Sequence, residues 1–392
     1  LHISHRSDTT VSFKLEIDRN GTGNWEDYTT ISVPANGYKY FILPENLEAC
    51  WIRLTSNNDA EAVTAYFHYS NTEHSNAECP YNQDIIFNSL APVNSKKAYS
   101  RGVIYLKEDK ALTLGFAADF IDSYGNITGR GYYEIGEDME LKRVENPSLE
   151  KEIRSKLEIK KDYEIDAASV IMYDENGNRY RLPKGSDAFD ELWEKEGFRC
   201  IREVVTERYL MNVHGSFYEL PRESAGGLAK IKPVCTHNLK IHDFASWRGM
   251  LVLSGNLSEG SEILENEHFI YSDDKLAGLW FGNIDDLWRM GTPRGEGGPC
   301  YNTLMKPEQP SDPYLMTGYD SKSVTLYHDS TQEVEFTIEV DYMADNTWHQ
   351  YDKITVKPGE KVQHKFPKGF NAHWVRVKVN RECRATAWFS YE

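Results

Sequence analysis

Two segments at opposite ends of the chain share one residue pattern, and this duplication constrains the fold more than any other feature. The segment VSFKLEID at 11–18 aligns with VEFTIEVD at 334–341, and TAYFHY at 64–69 aligns with TAWFSY at 386–391. The alignment is nearly gapless and also pairs several aromatic residues and a proline (Trp25 with Trp348, Tyr28 with Tyr351, Pro44 with Pro367, and Trp51 with Trp374). Apolar and polar residues alternate within these segments, as in half-buried strands. Residues 1–70 and 324–392 are therefore predicted to be two homologous repeats, each β-sandwich-like.

The second repeat has an upstream segment that the first repeat lacks. SDPYLMTGYDSKS occupies 311–323, whereas the first repeat aligns from Leu1 onward. A strand without its upstream neighbour would lie at a sheet edge. We therefore expect the chain to start inside a larger protein, with a preceding N-terminal part or a second chain as a partner.

Short predicted strands also dominate the region between the repeats, residues 71–323. They recur in groups at intervals of about 40–50 residues, a spacing typical of propeller blades. The predicted fold class is all-β, with a propeller-like central region flanked by the two β-sandwich-like repeats and with short helical insertions. Closure or packing of the sheets would protect their edges.

The helical insertions and one hairpin have clear local signals. A helix is predicted over 147–163, with Asn146 as its N-cap and Pro147 at its first position. A second helix is predicted over 187–196 and ends at Gly197. Residues 165–182 are predicted to form a β-hairpin around the turn DENGN.

Composition narrows the class of ligand. The formal net charge is −17, which disfavours nucleic acid, and no apolar run is long enough to span a membrane. The six cysteines form no CxxC pair, so a zinc ribbon is excluded, and free buried thiols are expected for most of them. No cofactor or metal site is predicted; Asp119, Asp122 and Asn126 match a calcium loop poorly and favour a solvated turn.

Residues 202–300 have an unusual mixture of His, Arg, Trp and carboxylates among glycines, which predicts a cleft for a polar, ring-shaped ligand. Candidate catalytic residues are its carboxylates and two histidines (Asp243, Glu219, Asp285, Asp286, His242 and His214). Candidate substrate-binding residues are a further histidine, the tryptophans and two arginines (His237, Trp247, Arg248, Trp280, Trp288 and Arg294).

These residue types suit glycan chemistry. Tryptophan rings stack on pyranose faces, and Asp, Asn and Arg hydrogen-bond hydroxyl groups. Glycoside hydrolysis needs two carboxylates roughly 5–10 Å apart, whereas elimination from a uronic acid needs a base such as His. The prediction is therefore a glycoside hydrolase or polysaccharide lyase working in a cleft of residues 202–300. Two alternatives stay open: a non-catalytic glycan-binding or cell-surface scaffold protein, and a structural protein in which these polar residues pair in the interior.

The sequence also resembles a protein group. TERYLMNVHGSFYELPRESAGGLAKIKPVCTHN and GLWFGNIDDLWRMGTPRGEGGP resemble uncharacterised exported bacterial proteins of β-propeller-like architecture that are associated with polysaccharide utilisation. The resemblance covers about residues 165–391 and transfers no catalytic residue. It implies a secreted, periplasmic or cell-surface location.

Overall fold

The computed structural model describes residues 1–69, 85–107, 112–205, 208–258 and 266–392. Its strands in the first half are β1 His2–Ser4, β2 Val11–Asp18, β3 Glu26–Val33, β4 Tyr38–Tyr40, β5 Trp51–Ser56, β6 Thr64–Tyr66, β7 Tyr99–Leu106, β8 Leu114–Ile121, β9 Ile127–Ile135, β10 Lys142–Arg143, β11 Glu164–Ile165, β12 Val170–Tyr173 and β13 Arg179–Leu182. The later strands are β14 Ile201–Val205, β15 Arg208–Val213, β16 Ser216–Leu220, β17 Lys232–Thr236, β18 Phe244–Trp247, β19 Met250–Leu253, β20 Asn256–Leu257, β21 Phe269–Tyr271, β22 Gly278–Gly282, β23 Gly295–Met305, β24 Tyr314–Leu315, β25 Lys322–His328, β26 Val334–Asp341, β27 His349–Val356, β28 Val362–Lys365, β29 Trp374–Val379 and β30 Cys383–Tyr391. The α-helices are α1 Pro147–Lys156 and α2 Ala188–Glu196, and short 3-10 turns occur at Ile85–Phe87, Glu223–Ala225, Gly227–Lys230 and Ile284–Arg289.

Strands dominate the described residues, so the all-β class is confirmed. The predicted hairpin is present, because β12 and β13 pair in antiparallel register from Val170↔Leu182 to Tyr173↔Arg179. The predicted second helix is present as α2, which ends at Glu196 with Gly197 as its C-cap, and the φ of 67° at Gly197 is easily adopted by glycine.

Helix α1 begins as predicted but is shorter than predicted. The side chain of Asn146 accepts a hydrogen bond from the Leu149 N–H, and Pro147 is the first helical residue. The helix ends at Lys156 rather than at residue 163. Ile153 is buried against β7, β8 and β9, and Ile159 joins the same apolar cluster from beyond the helix. The apolar stripe therefore finishes its packing without a further helical turn.

One compact unit contains the first repeat and all but the last five residues of the second. It comprises Leu1–Thr72 and Pro299–Ala387, so it joins the two ends of the chain with residues 299–323. The predicted boundaries at 70/71 and 323/324 separate segments of the sequence, and they stay a prediction. The compact units of the structure are divided differently, because the two repeats pack together in one unit.

The two repeats fold in the same way. In the first, β2 pairs with β3 and β5, and in the second, β26 pairs with β27 and β29. The register shifts at Leu15/Glu16 in one pair and at Ile338/Glu339 in the other, which are aligned positions. A β-bulge at the same place in both copies indicates that the duplication extends to backbone detail.

The second compact unit comprises Glu73–Gly298 and Trp388–Glu392. Its sheets are antiparallel: one of five strands (β10-β9-β8-β7-β20) and two of four (β14-β15-β16-β17 and β18-β19-β22-β21). Buried apolar side chains from these sheets form two large clusters. The propeller-like arrangement of this region stays a prediction.

Within the described ranges, the structure has no helix that is both long enough and apolar enough to cross a membrane. Four cysteines are buried as free thiols (Cys200, Cys235, Cys300 and Cys383), and Cys50 is an exposed free thiol. Cys79 lies outside the described residues.

Candidate functional site

Asp243, the first of the predicted catalytic carboxylates, lies in the interior with no exposed surface. Its two oxygens accept hydrogen bonds from Nε and Nη2 of Arg202 at 2.9 and 2.6 Å. They also accept from the backbone N–H groups of Ile104 and Phe244, each at 2.8 Å. A carboxylate with four donors in a buried ion pair is fully occupied by protein groups.

The predicted histidines are buried as well, and two of them are fully hydrogen-bonded. His214 has its Nε2 2.7 Å from Oδ1 of Asp190, while its Nδ1 accepts from the Gly185 N–H at 2.9 Å. His237 bonds Oδ1 of Asn212 through Nε2 at 3.1 Å, and its Nδ1 accepts from a backbone N–H. Both rings thus form hydrogen bonds with interior residues through both of their nitrogens.

Burial also governs the charge of these rings. Desolvation lowers the pKa of His237 to about 3, and the pKa of His242 to about 3 as well. Both rings are therefore neutral near pH 7.

The turn at His214 is tightly packed. A Cβ on Gly215 would lie 2.4 Å from the Phe189 ring, so only glycine leaves room for this ring.

Two of the predicted tryptophans pack in the core and the third is exposed. Trp280 is fully buried, stacks on His268 at 5.6 Å and donates to the backbone oxygen of Ile86 at 2.8 Å. Trp247 is buried and donates to the backbone oxygen of Leu112. Trp288 keeps 57 % of its surface exposed.

The remaining predicted residues lie nearer the surface. Glu219 on β16 and Asp285 are exposed, and Asp286 caps the turn Ile284–Arg289 by accepting from the Asn283 N–H at 2.7 Å. Arg248 lies over the Trp247 ring, and Arg294 is held at Thr236 by its backbone. Asp243, His214 and His237 are thus paired with interior residues outside the candidate set, and the catalytic role of the candidates stays a prediction.

A cavity of about 350 Å³ lies elsewhere, in the unit that contains the two repeats. The first repeat contributes residues at the end of β1, before β4 and at the start of β6 (Ser4, His5, Arg6, Asn36, Gly37, Ala62 and Thr64). The second contributes the turn between β26 and β27 (Asp341, Tyr342, Met343, Asp345, Thr347, Trp348 and His349). None of the twelve residues predicted from the sequence lines this cavity.

Stacked aromatic rings hold the two sides of the cavity together. Tyr342 stacks on His2 at 4.7 Å and on His349 at 5.1 Å between ring centres, and His349 stacks on Tyr38 at 5.0 Å. The Tyr342 hydroxyl is also 2.8 Å from Oγ of Ser4. These contacts join residues from both repeats, so the cavity wall has a fixed shape.

The turn of the second repeat is organised by Asp341. Its Oδ1 accepts from the N–H groups of Met343 and Asp345 at 3.0 and 3.4 Å, and its Oδ2 accepts from Asn346 at 2.8 Å. The aligned residue of the first repeat, Asp18, does the same with four backbone donors (Asn20, Gly21, Thr22 and Gly23). The shared role identifies Asp341 as the cap of its turn.

The two aligned carboxyls differ in their pKa. Burial raises the pKa of Asp341, although the N–H donors of the turn oppose this effect. Burial acts in the same direction at Asp18, but its N–H donors together outweigh burial and lower the pKa. A carboxyl with a raised pKa beside a cavity is often functional; at Asp341 both oxygens are already engaged by the turn.

The side chains open to the cavity are a mixed set of hydrogen-bonding groups. The described residues include no ion-pair partner for Arg6, which is exposed, or for Asp345, whose carboxylate accepts from the Thr347 N–H at 2.9 Å. Burial lowers the pKa of His349, with the Asp345 carboxylate opposing it, so the ring is neutral near pH 7. Trp348 adds a half-buried indole ring.

No group of three or more side chains that could hold a metal ion occurs in the described part of the chain. In the segment that matches a calcium loop poorly, residues 119–126, Oδ1 of Asp122 accepts hydrogen bonds from the N–H groups of Tyr124 and Asn126, as in an ordinary turn. Asp119 pairs instead with Arg130 and Arg154.

No protein-family model matches the sequence, and no curated protein matches it. Among solved structures, the chain is similar to an exo-β-1,3-galactanase from Phanerochaete chrysosporium with galactose, at 8 % identity and a TM-score of 0.18; the match covers 74 % of this chain and 68 % of that one. It is also similar to a structure described as a glycoside hydrolase, at 8 % identity and a TM-score of 0.17, covering 78 % of this chain and 99 % of that one. At these TM-scores neither likeness carries an argument about fold or function, and the resemblance to exported propeller-like proteins stays a prediction.

The search for unusual residue types missed the lining of the cavity, whose second-repeat part can be compared with the aligned turn of the first repeat. Aligned core positions match between the repeats, but the turn 342–349 differs from its counterpart 19–26 at almost every position. The alignment pairs Tyr342 with Arg19, Asp345 with Thr22 and His349 with Glu26. The two copies of this turn thus carry different side chains, and those of the second repeat line the cavity.

Proposed function

We propose that the cavity in the unit formed by the two repeats binds a glycan without cleaving it. The observation that carries this proposal is the convergence of open hydrogen-bonding side chains and an indole ring in one cavity of about 350 Å³. Small-molecule sites are typically about 300–1,000 Å³ and combine aromatic surface with a few placed polar groups. A secreted, periplasmic or cell-surface location belongs to the same proposal.

The open groups favour an uncharged, hydroxyl-rich ligand. Arg6 offers a fork of donors, and Asp345 offers acceptor oxygens, so together they can engage neighbouring hydroxyl groups. Their charges have opposite sign and His349 is neutral, so the cavity does not require a charged ligand. The Trp348 ring supplies the apolar face that a pyranose ring needs. The inferred ligand class is therefore a neutral glycan unit.

Binding fits the cavity better than hydrolysis does. Hydrolysis needs two carboxyl groups that act on the ligand, one as an acid and one as a base or nucleophile. Of the two carboxylates in the lining, Asp341 is 2 % exposed and caps its own turn. Asp345 remains as the exposed carboxylate of the lining, which suffices to hydrogen-bond a hydroxyl group.

A glycan panel tests the proposal. Purified protein is titrated with plant and host polysaccharides and their oligosaccharides, and binding is followed by calorimetry. Trp348→Ala is expected to weaken binding at least about tenfold, because stacked aromatic rings are typical binding hot spots. The matched control is Trp25→Ala, since Trp25 is the aligned residue of the first repeat and does not line the cavity. Equal loss in both variants, or binding unaffected by Trp348→Ala, would contradict the proposal.

The same panel distinguishes binding from cleavage. Reducing ends and the absorbance of unsaturated products are followed for each glycan. A product would replace the binding proposal with the hydrolase or lyase predicted for residues 202–300. In that case Asp285→Asn and Glu219→Gln come first, because these predicted carboxylates are exposed.

A further inference from the structure

Strands β5 and β29 occupy the same place in the two repeats. Strand β5 pairs with β2 from Phe13↔Ser56 to Asp18↔Trp51, and β29 pairs with β26 from Phe336↔Val379 to Asp341↔Trp374. Every pair in one set aligns with a pair in the other. The register is therefore identical, and the two strands differ only in what lies on their other side.

The outer side of β29 is covered by the segment that leads into the second repeat. Strand β24 pairs with it in antiparallel register, with Tyr314 opposite Val375 and Leu315 opposite Trp374. The segment also donates backbone N–H groups, from Ser311 to the Val377 oxygen in β29 and from Met316 to the oxygen of His373, which immediately precedes β29, both at 2.9 Å. Under this cover Trp374 is only 2 % exposed, and Tyr314 and Leu315 are fully buried.

The outer side of β5 has no such cover among the described residues, where β5 is the edge of a three-stranded sheet. Trp51, the counterpart of Trp374, is 62 % exposed, and no residue of β5 is buried. An edge strand with an exposed aromatic residue is a template for pairing with another strand. In the second repeat, β24 is the strand that pairs at the corresponding position beside β29.

We propose that the edge of β5 binds an extended segment of a separate polypeptide by strand addition. The expected segment runs antiparallel to β5 and places an aromatic side chain opposite Ile52 and an aliphatic one opposite Trp51, as Tyr314 and Leu315 do at β29. Backbone hydrogen bonds to β5 supply affinity, and the two apolar side chains supply selectivity. This surface is separate from the residues that line the glycan cavity.

A peptide with the sequence of residues 309–317 is the probe. It is labelled with a fluorophore and titrated into the full chain, with binding read by anisotropy and by hydrogen exchange. Saturable binding with slowed exchange of the amides of 51–56 is expected. Two altered peptides are expected to fail: one with serine at its Tyr and Leu positions, and one N-methylated at its Ser and Met positions, which lacks the donors used at β29.

Protein variants locate the surface. Trp51→Ala removes an exposed side chain, so the fold is retained, and peptide affinity is expected to fall about tenfold. Trp288→Ala, which also removes an exposed tryptophan, is the matched control and should leave affinity unchanged. Absence of saturable binding, protection outside 51–56, or equal binding of the altered peptides would overturn the proposal. Protection of 51–56 in a dimer without peptide would assign the edge to a second copy instead.

Discussion

The guanidinium of Arg376 lies over the Trp348 ring, with its central carbon 4.2 Å from the ring centroid. The first repeat has the same arrangement, with Arg53 at 4.2 Å from the Trp25 ring. Cation–π contacts of this kind orient a ring as well as stabilise it. The orientation of Trp348 is therefore set before the proposed ligand binds, which would reduce the entropy lost on binding.

Arg376 is expected to act on both stability and glycan binding. Its Nε lies 2.7 Å from Oε2 of Glu339, and both side chains are largely buried. Arg376→Ala removes one of the two cations at this carboxylate, since Nζ of Lys378 lies 2.6 Å from Oε1 of Glu339, and it also frees the Trp348 ring. We therefore expect a loss of about 1–2 kcal/mol in the free energy of unfolding and weaker glycan binding. Urea unfolding and calorimetry measure the two effects.

Arg53→Ala is the control for this prediction. Arg53 pairs with Glu16 at 3.0 Å and lies over Trp25, outside the cavity. Its removal should leave glycan affinity unchanged, because neither Arg53 nor Trp25 lines the cavity. Unchanged affinity in Arg376→Ala would show that Trp348 does not need this support.

Asn346 is expected to serve binding rather than stability. Its φ is 64°, a left-handed conformation that the first repeat assigns to a glycine, Gly23 with φ 82°. The Asn346 side chain accepts a hydrogen bond from Nε1 of Trp348 at 2.7 Å. Asn346→Gly relieves the backbone and loses that bond, so stability should change by less than about 1 kcal/mol while glycan affinity falls several-fold. A parallel loss of stability and affinity would argue for a purely structural asparagine.

The fold was predictable where local pattern and long-range packing agree. Alternating residues such as those of Val11–Asp18 predict strands, and the aligned strand Val334–Asp341 adopts the same register. Asn146 and Pro147 correctly predict the start of α1. The end of α1 was not predictable, because Ile159 packs in the same cluster from non-helical backbone, which no local pattern indicates.

The site was less predictable, because residue type does not reveal which polar groups pair inside the protein. Asp243 has the chemistry of a catalytic acid, yet both of its oxygens accept hydrogen bonds from Arg202 and two backbone N–H groups in the interior. The cavity depends on contacts such as Ser4 to Tyr342, across almost the whole chain.

Asp243 is expected to be a structural residue whose loss unfolds the protein. Asp243→Asn keeps the shape but leaves Arg202 without its charge partner, and breaking a buried pair costs about 3–5 kcal/mol. The control is Asp285→Asn, because Asp285 is exposed and its change should stay within about 0.5 kcal/mol. Chemical unfolding measures both. A stable Asp243→Asn variant that lost glycan turnover would restore the catalytic assignment.

His237 is expected to make stability depend on pH below neutrality. Burial lowers the pKa of its ring to about 3 in the folded protein, whereas a histidine in the unfolded chain has a pKa of about 6.5. Between these values the unfolded chain binds more protons than the folded one, so stability falls as the pH decreases through this window. The slope from one such residue is about 1.4 kcal/mol per pH unit.

His237→Asn isolates this contribution. The asparagine Oδ1 can replace Nδ1 as the acceptor for the Leu239 N–H, which donates to the His237 ring at 3.1 Å, but asparagine does not titrate. The difference in unfolding free energy between the variant and the unaltered protein should therefore shift in favour of the variant as the pH is lowered from about 6.5 to 4. Other titrating groups cancel in this difference. Urea unfolding at closely spaced pH values measures it, and parallel pH curves would show that His237 takes up its proton in the folded protein as readily as in the unfolded chain.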